Sequence, residues 1–173
     1  MLLLTNCNRI NLTDQEAKGL IIKTLNLPQK FNTKVSRNDM RTLISLERAG
    51  LIYKKGGFFS GYMVYATDKG KPYLIGEETE HMYGKNVLKF KSFEIDFNQI
   101  TGIAINKEQQ TATVRFSLKA INITPIGRAT ERNIDDFRNG ELVFKKFDNG
   151  WQLESDQNKS SIDIVKKIWW DQE

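Results

Sequence analysis

Apolar residues recur at helical spacing in the first part of this chain and at strand spacing in the second. Ala17, Leu20, Ile21, Thr24 and Leu25 fall on one stripe, which predicts a helix capped by Thr13, with Glu16 returning the bond and Pro28 stopping it. Ser36 and Asp39 offer caps for a second helix that ends at Gly50 and presents Met40, Leu43, Ile44 and Leu46 to the core. Only residues 26–35 separate the two helices, and they read as a connection. Residues 51–54 and 62–66 then predict hairpin strands around Lys55-Gly-Gly-Phe-Phe-Ser-Gly61, and Thr67 or Asp68 caps a further short turn.

The polar run Gly76-Glu-Glu-Thr-Glu-His-Met-Tyr-Gly-Lys-Asn86 marks a boundary, and the chain beyond it is rich in strands. Ala112, Val114, Phe116, Leu118 and Ala120 alternate with Thr113, Arg115, Ser117 and Lys119, so one face of a long antiparallel strand is buried and the other is wet. Residues 100–105 supply its partner. Leu88 and Phe90 lie in one phase and Phe93, Ile95 and Phe97 in the other, which predicts a bulge or bend near Ser92. Asp148-Asn149-Gly150 closes a hairpin between residues 142–147 and 151–154. The final segment reads as a helix with Ile164, Ile168 and Trp169 on one face, and its two tryptophans pack on the sheet.

These periodicities place Leu43, Leu46, Leu51 and Tyr65 in one core with Leu20 and Ile21. They place Val114, Phe116, Leu118, Phe144 and Trp151 together in another. A chain of 173 residues, 39% of them hydrophobic, is long enough to bury roughly 70% of its unfolded surface without a metal or disulfide. The balance of 26 Lys+Arg against 21 Asp+Glu gives a net charge of +5, which biases encounters toward anionic partners. No run of about 20 apolar residues exists to span a membrane.

Chemistry-bearing motifs are few. Cys7 is the sole cysteine and His81 the sole histidine, so neither an internal disulfide nor a multi-cysteine zinc cluster can form. Asp135-Asp136 and Glu77-Glu78 are adjacent acids that point apart on regular structure. No Gly-Lys-Ser/Thr phosphate loop and no Gly-x-Ser-x-Gly elbow appears. The sequence therefore points to a protein that is not an enzyme, with no cofactor, no metal and no catalytic residue.

Two resemblances extend this reading. Met40-Arg-Thr-Leu-Ile-Ser-Leu-Glu-Arg-Ala-Gly-Leu-Ile-Tyr53, followed by Tyr65-Ala-Thr-Asp-Lys-Gly-Lys-Pro-Tyr-Leu74, resembles the closing half of a winged-helix domain: a helix ending in "L..LE..GLI", a wing hairpin, then a "T-[DE]-K-G" turn. At about 100° per residue, Arg37, Arg41 and Arg48 fall within roughly 40° of one another, and with Lys54 and Lys55 of the wing they are the contacts available to an anionic partner. The separate supporting helix of a DNA-reading winged helix is missing, which weighs against nucleic acid as the partner. Ala120-Ile-Asn-Ile-Thr-Pro-Ile-Gly127 and Phe144-Lys-Lys-Phe-Asp-Asn-Gly-Trp-Gln-Leu153 resemble curved-sheet domains of small bacterial lipoproteins, in which "TP.G" and "F.K.D.GW.L" recur.

Together these imply an α+β fold in which a reduced winged-helix-like N-terminal unit, residues 12–76, packs with a curved antiparallel β-sheet and C-terminal helix, residues 87–173, across a linker at 77–86. Residues 1–11 form an N-terminal segment in which Leu4-Thr5-Asn6-Cys7 resembles the lipid-attachment site of bacterial lipoproteins. Asn6 departs from the usual Gly, Ala or Ser, and only Met1 to Leu4 precede the motif. That reading implies a start upstream of Met1; the other reading is an apolar terminus with one inert thiol.

The implied function is a non-catalytic envelope lipoprotein-like module, lipid-anchored and periplasm-facing, that binds a macromolecule or envelope component. The alternative is a cytoplasmic winged-helix DNA-binding regulator with a β-rich sensing or dimerisation domain. The first reading predicts a diacylglycerol thioether on Cys7 in product made by the natural host; mass spectrometry finding an unmodified Cys7 in a cytoplasmic protein would end it.

Overall fold

The structure, a computed structural model, describes residues 11–57, 61–80, 85–154 and 159–170; Cys7 and His81 lie outside them. The fold is α+β. In chain order its elements are α1 (Asp14–Leu25), β1 (Gln29–Val35), α2 (Met40–Arg48), β2 (Ile52–Gly57), β3 (Gly61–Ala66), β4 (Leu74–Glu80), β5 (Lys85–Asn106), β6 (Thr111–Ile121), α3 (Pro125–Thr130), β7 (Arg138–Phe147), β8 (Gly150–Leu153) and α4 (Ser161–Trp170), with a 3-10 turn at Lys71–Tyr73. One sheet follows the order β1-β5-β6-β7-β8 with β4 also on β5, and β2-β3 is a separate hairpin. Two compact units interleave along the chain. The first takes the described residues up to Pro28, residues 96–119, and those from Phe137 onward; the second takes residues 29–95 and 120–136.

In the first unit, α1 opens with the expected capping box. The Glu16 carboxylate accepts from the Thr13 backbone N–H at 2.9 Å, and the Thr13 hydroxyl oxygen accepts from the Glu16 N–H at 3.3 Å. The bond from the Thr13 N–H, and after it one from the Thr13 hydroxyl at 2.8 Å, hold the Glu16 carboxyl below its ordinary value. Ala17, Ile21 and Leu25 are buried, and α1 packs on α4. The expectation that Ile21 shares a core with Leu43 is therefore corrected, and Leu20 is only half-buried. The β half follows its alternation over most of β6, with two corrections, since Ser117, expected on the wet face, is buried and Ala120, expected inside, is only half-buried; Ala112 faces Phe144, Val114 faces Leu142 and Phe116 faces Gly140 across β6 and β7. Val114, Phe116, Leu118 and Phe144 are fully buried. A Cβ on Gly140 would come within 2.7 Å of the Phe116 ring and 2.9 Å of Ile168, so the missing side chain makes room for both. Trp151 is half-buried rather than buried, with the Lys146 ammonium 5.6 Å from its ring. Trp169 of α4 is buried, and the Arg138 guanidinium lies 5.5 Å from its ring.

In the second unit three expectations change. Residues 29–35 form strand β1, not a plain connection; Phe31 and Val35 are its buried apolar positions, and the Lys, Asn and Thr between them disguised the alternation. Residues 74–80 form strand β4 on β5, so the stretch at 77–86 is not a linker as far as it is described. The end of the "TP.G" segment is not strand: β6 stops at Ile121 and α3 begins at Pro125. The core gathers Leu43, Leu46, Leu51, Val35, Ile52, Val64, Leu88, Phe90 and Ile126. Tyr65 lies outside it because Val64 takes the inward face of β3; its ring stacks on Tyr53, centroids 5.4 Å apart. The buried Asn86 amide accepts from the Val64 N–H at 3.0 Å and donates to the Val64 carbonyl and Glu77, tying the hairpin to β5.

The predicted irregularity at Ser92 is present. Phe31 pairs with Phe93 but Asn32 pairs with Lys91, so Ser92 is the extra residue of a bulge. The Thr124 hydroxyl shares its hydrogen between the carbonyls of Lys91 and Ser92, each at 2.9 Å, and accepts from the Gly127 N–H at 3.3 Å, which caps α3. The Thr124 N–H also donates to the Ser92 carbonyl at 2.9 Å, and the Ser92 and Thr33 hydroxyls bond at 2.6 Å. Gly127 sits so close that a Cβ there would meet the Ser92 carbonyl oxygen at 2.7 Å.

Two stability changes follow. Gly127→Ala should destabilise by about 1–3 kcal/mol, although helix propensity alone favours alanine by about 1 kcal/mol; a neutral or stabilising result in a urea titration would contradict the close approach. Phe116→Ala should cost about 3–5 kcal/mol, and a loss under about 1 kcal/mol would mean that its ring is not a core member.

Candidate anion-binding groove

Helix α2 is fixed from within and at both ends. Asp39 accepts from the Thr42 N–H at 3.1 Å, Leu43 and Leu46 are fully buried, and Gly50, at φ 69°, takes the left-handed turn that lets the Leu51 N–H return to the Leu46 carbonyl at 2.9 Å. Thr67, which opens the "TDKG" turn, donates its hydroxyl to the Gly50 carbonyl at 2.7 Å and its N–H to the Leu51 carbonyl at 3.1 Å. The burial of Leu43 and Leu46 turns Arg41, Ile44, Ser45 and Arg48 outward. Met40 and Ile44, expected in the core, are instead 51% and 38% exposed.

Helix α3 is placed against α2 by Ile126, which joins the core, and by the Thr124 cap. Arg128 on that helix and Arg132, just past its end, lie beside the outward face of α2. A groove of about 580 Å³ results, with Arg41 and Arg48 on one wall and Arg128, Glu131 and Arg132 on the other. Ser45, Ala129 and Thr130 supply its small side chains. Arg128 donates to Asp135 at 2.9 Å, an exposed pair that solvent screens heavily. Four arginines thus outnumber Glu131 in the lining and Asp135 beside Arg128, so the groove is cationic. Arginine's planar fork suits it to bidentate carboxylate or phosphate contact.

Of the anion contacts expected from sequence, Arg41 and Arg48 enter this groove and Arg37, Lys54 and Lys55 do not. Arg37 precedes the helix and is half-buried, its carbonyl accepting from the Tyr62 hydroxyl at 3.3 Å; the helical projection that grouped it with Arg41 does not apply outside α2. Lys54 is engaged by Glu47 at 2.7 Å, a bond that raises its ammonium above the ordinary lysine value. Lys55 is exposed on the β2–β3 hairpin. Arg128 and Arg132 were missed. Arg128 lies on α3 and Arg132 follows the end of that helix, so no periodicity in the sequence joins them, and the Thr124-Pro125 start of α3 reads from sequence as the end of a strand.

A second depression of about 490 Å³ lies beside the Tyr53–Tyr65 stack, with the Asp68–Lys71 ion pair, 2.8 Å long, and Glu77 at its edge. Among the described residues no three His, Cys, Asp or Glu side chains gather as a metal site, and no helix is long and apolar enough to cross a membrane. Compared with family models, curated proteins and solved structures, the chain finds no match.

Proposed function

We propose that this protein is a non-catalytic binding module that holds an anionic macromolecular partner in the α2–α3 groove, anchored in the bacterial cell envelope through a lipid on Cys7. The observation that carries the binding role is the convergence of Arg41, Arg48, Arg128 and Arg132 on one groove within a single compact unit. Like charges gathered this way repel one another by tenths of a kcal/mol per pair. Folding does not call for them, because Leu43, Leu46 and Ile126 hold the two helices in place. A partner that neutralises them accounts for the arrangement. The envelope setting draws on the Leu4-Thr5-Asn6-Cys7 pattern.

The regulator reading draws on the succession of α2, β2 and β3, which is the order of a recognition helix and wing. Two features speak against it: β1 pairs with β5 instead of the wing hairpin, and Arg41 and Arg48 line a groove walled by α3.

Elution from a polyphosphate column along a salt gradient tests the groove. Arg41→Ala with Arg48→Ala should leave at clearly lower salt than Lys107→Ala with Lys119→Ala, a pair of equal charge taken from the first unit, with about tenfold weaker binding at fixed salt. Equal elution would reduce the groove to a share of the overall +5 field. A sequence-selective duplex complex tighter than about 10⁻⁷ M at physiological salt would favour the regulator instead.

A further inference from the structure

We infer that the groove's occupant is an acidic peptide segment of another protein, one that carries aliphatic side chains among its carboxylates. This rests on the anion-binding reading above and narrows it. Charge alone does not choose, because guanidinium forks serve carboxylate and phosphate alike. Three features of the groove do.

The first is an apolar strip that the core leaves unused. At about 100° per residue, Met40, Ile44, Arg48 and Arg41 follow one another around roughly 100° of the α2 surface, so the exposed aliphatic side chains adjoin the cationic ones on one face. Ile44 lines the groove together with the arginines. A phosphate backbone gains nothing from that strip, whereas a leucine or valine set among glutamates would leave water against it. The second feature is Glu131, the residue that ends α3, which lines the same wall of the groove as Arg128. Its negative charge opposes a continuous chain of phosphates more than a peptide whose carboxylates are spaced by neutral residues. The third is the rest of the lining, Ile44, Ser45, Ala129 and Thr130, which beside the charged residues includes no aromatic ring. Single-stranded nucleic acid is held largely by stacking on such rings. Ser45, Ala129 and Thr130 instead allow a peptide backbone to approach closely. Cationic side chains beside an exposed aliphatic one are a combination by which protein grooves recognise short segments of other proteins.

Fluorescence anisotropy on the full chain separates the cases with three labelled probes: a peptide of glutamates interspersed with leucines, a polyglutamate of the same length, and a short DNA duplex. The leucine-containing peptide should bind tightest. Replacing Arg41 and Arg48 by alanine should weaken it about tenfold or more, and Ile44→Ser should weaken it several-fold while leaving polyglutamate unchanged. Circular dichroism of each variant confirms the fold, and a lysine-substituted peptide should recover binding to Arg41→Glu, which a collapsed groove could not produce. Equal loss of both peptides on Ile44→Ser would overturn the inference. So would arginine-dependent duplex binding that is indifferent to Ile44 and exceeds that of the peptides, although the anion-binding groove would then stand. No arginine dependence with any probe would overturn the groove and the inference together.

Discussion

The hydroxyl of Thr124 and the carbonyl of Ser92 form the contact on which the second unit turns. A bulge leaves its extra residue without a place in the ladder, and Ser92 is almost fully buried, where an unsatisfied backbone group costs about 1–3 kcal/mol. Thr124 answers that cost with its side chain and its own N–H. The same hydroxyl oxygen then caps α3. One residue therefore satisfies the irregular strand and starts the helix. Gly127 completes the contact, since any side chain there would push α3 off the bulge.

The bulge matters because of the phase of β5. Leu88 and Phe90 precede it and Phe93 and Ile95 follow it, and all four are buried. Without one extra residue, a strict two-residue alternation would turn one of these pairs out to solvent. The interruption was legible because the hydrophobic phase visibly changes, and the Thr13 and Asp39 caps, the Asn149-Gly150 turn and the β6 alternation were legible for the same reason: each is a local signal carried by neighbouring residues. What was not legible depends on partners distant in sequence. Strand β1 has few apolar residues and is defined by pairing with β5. The acidic run of β4 looked like a linker until it lay along the same strand. The α1 stripe shows that a face is buried and is silent on which element buries it, so its packing on α4 could not be read from its period.

The candidate site was half legible for a related reason. Arg41 and Arg48 show their shared face within one helix. Arg128 and Arg132 share no helix face, because Arg132 follows the end of α3, and at six residues α3 is too short to be stable on its own propensity. Its helicity comes from Thr124, Pro125 and the fit of Gly127 against Ser92. Met40 and Ile44 were misread in the opposite direction, since an apolar residue at helical spacing was taken as core. Leu43 and Leu46 already fill the inward face, leaving these two for the surface.

The groove thus inherits its geometry from backbone contacts. One wall is set by the Asp39 cap, the Gly50 turn and the Thr67 hydroxyl, and the other by the bulge more than thirty positions away from Arg128 in sequence. None of these fixed groups is itself one of the four arginines. The groups that fix the helices are therefore distinct from the exposed arginines of the proposed site, and immobilising each such side chain on a partner would cost about 0.5–1.5 kcal/mol. Substitutions that alter recognition and substitutions that alter stability should accordingly fall on different residues, even within α2, where Arg41 and Leu43 stand two positions apart.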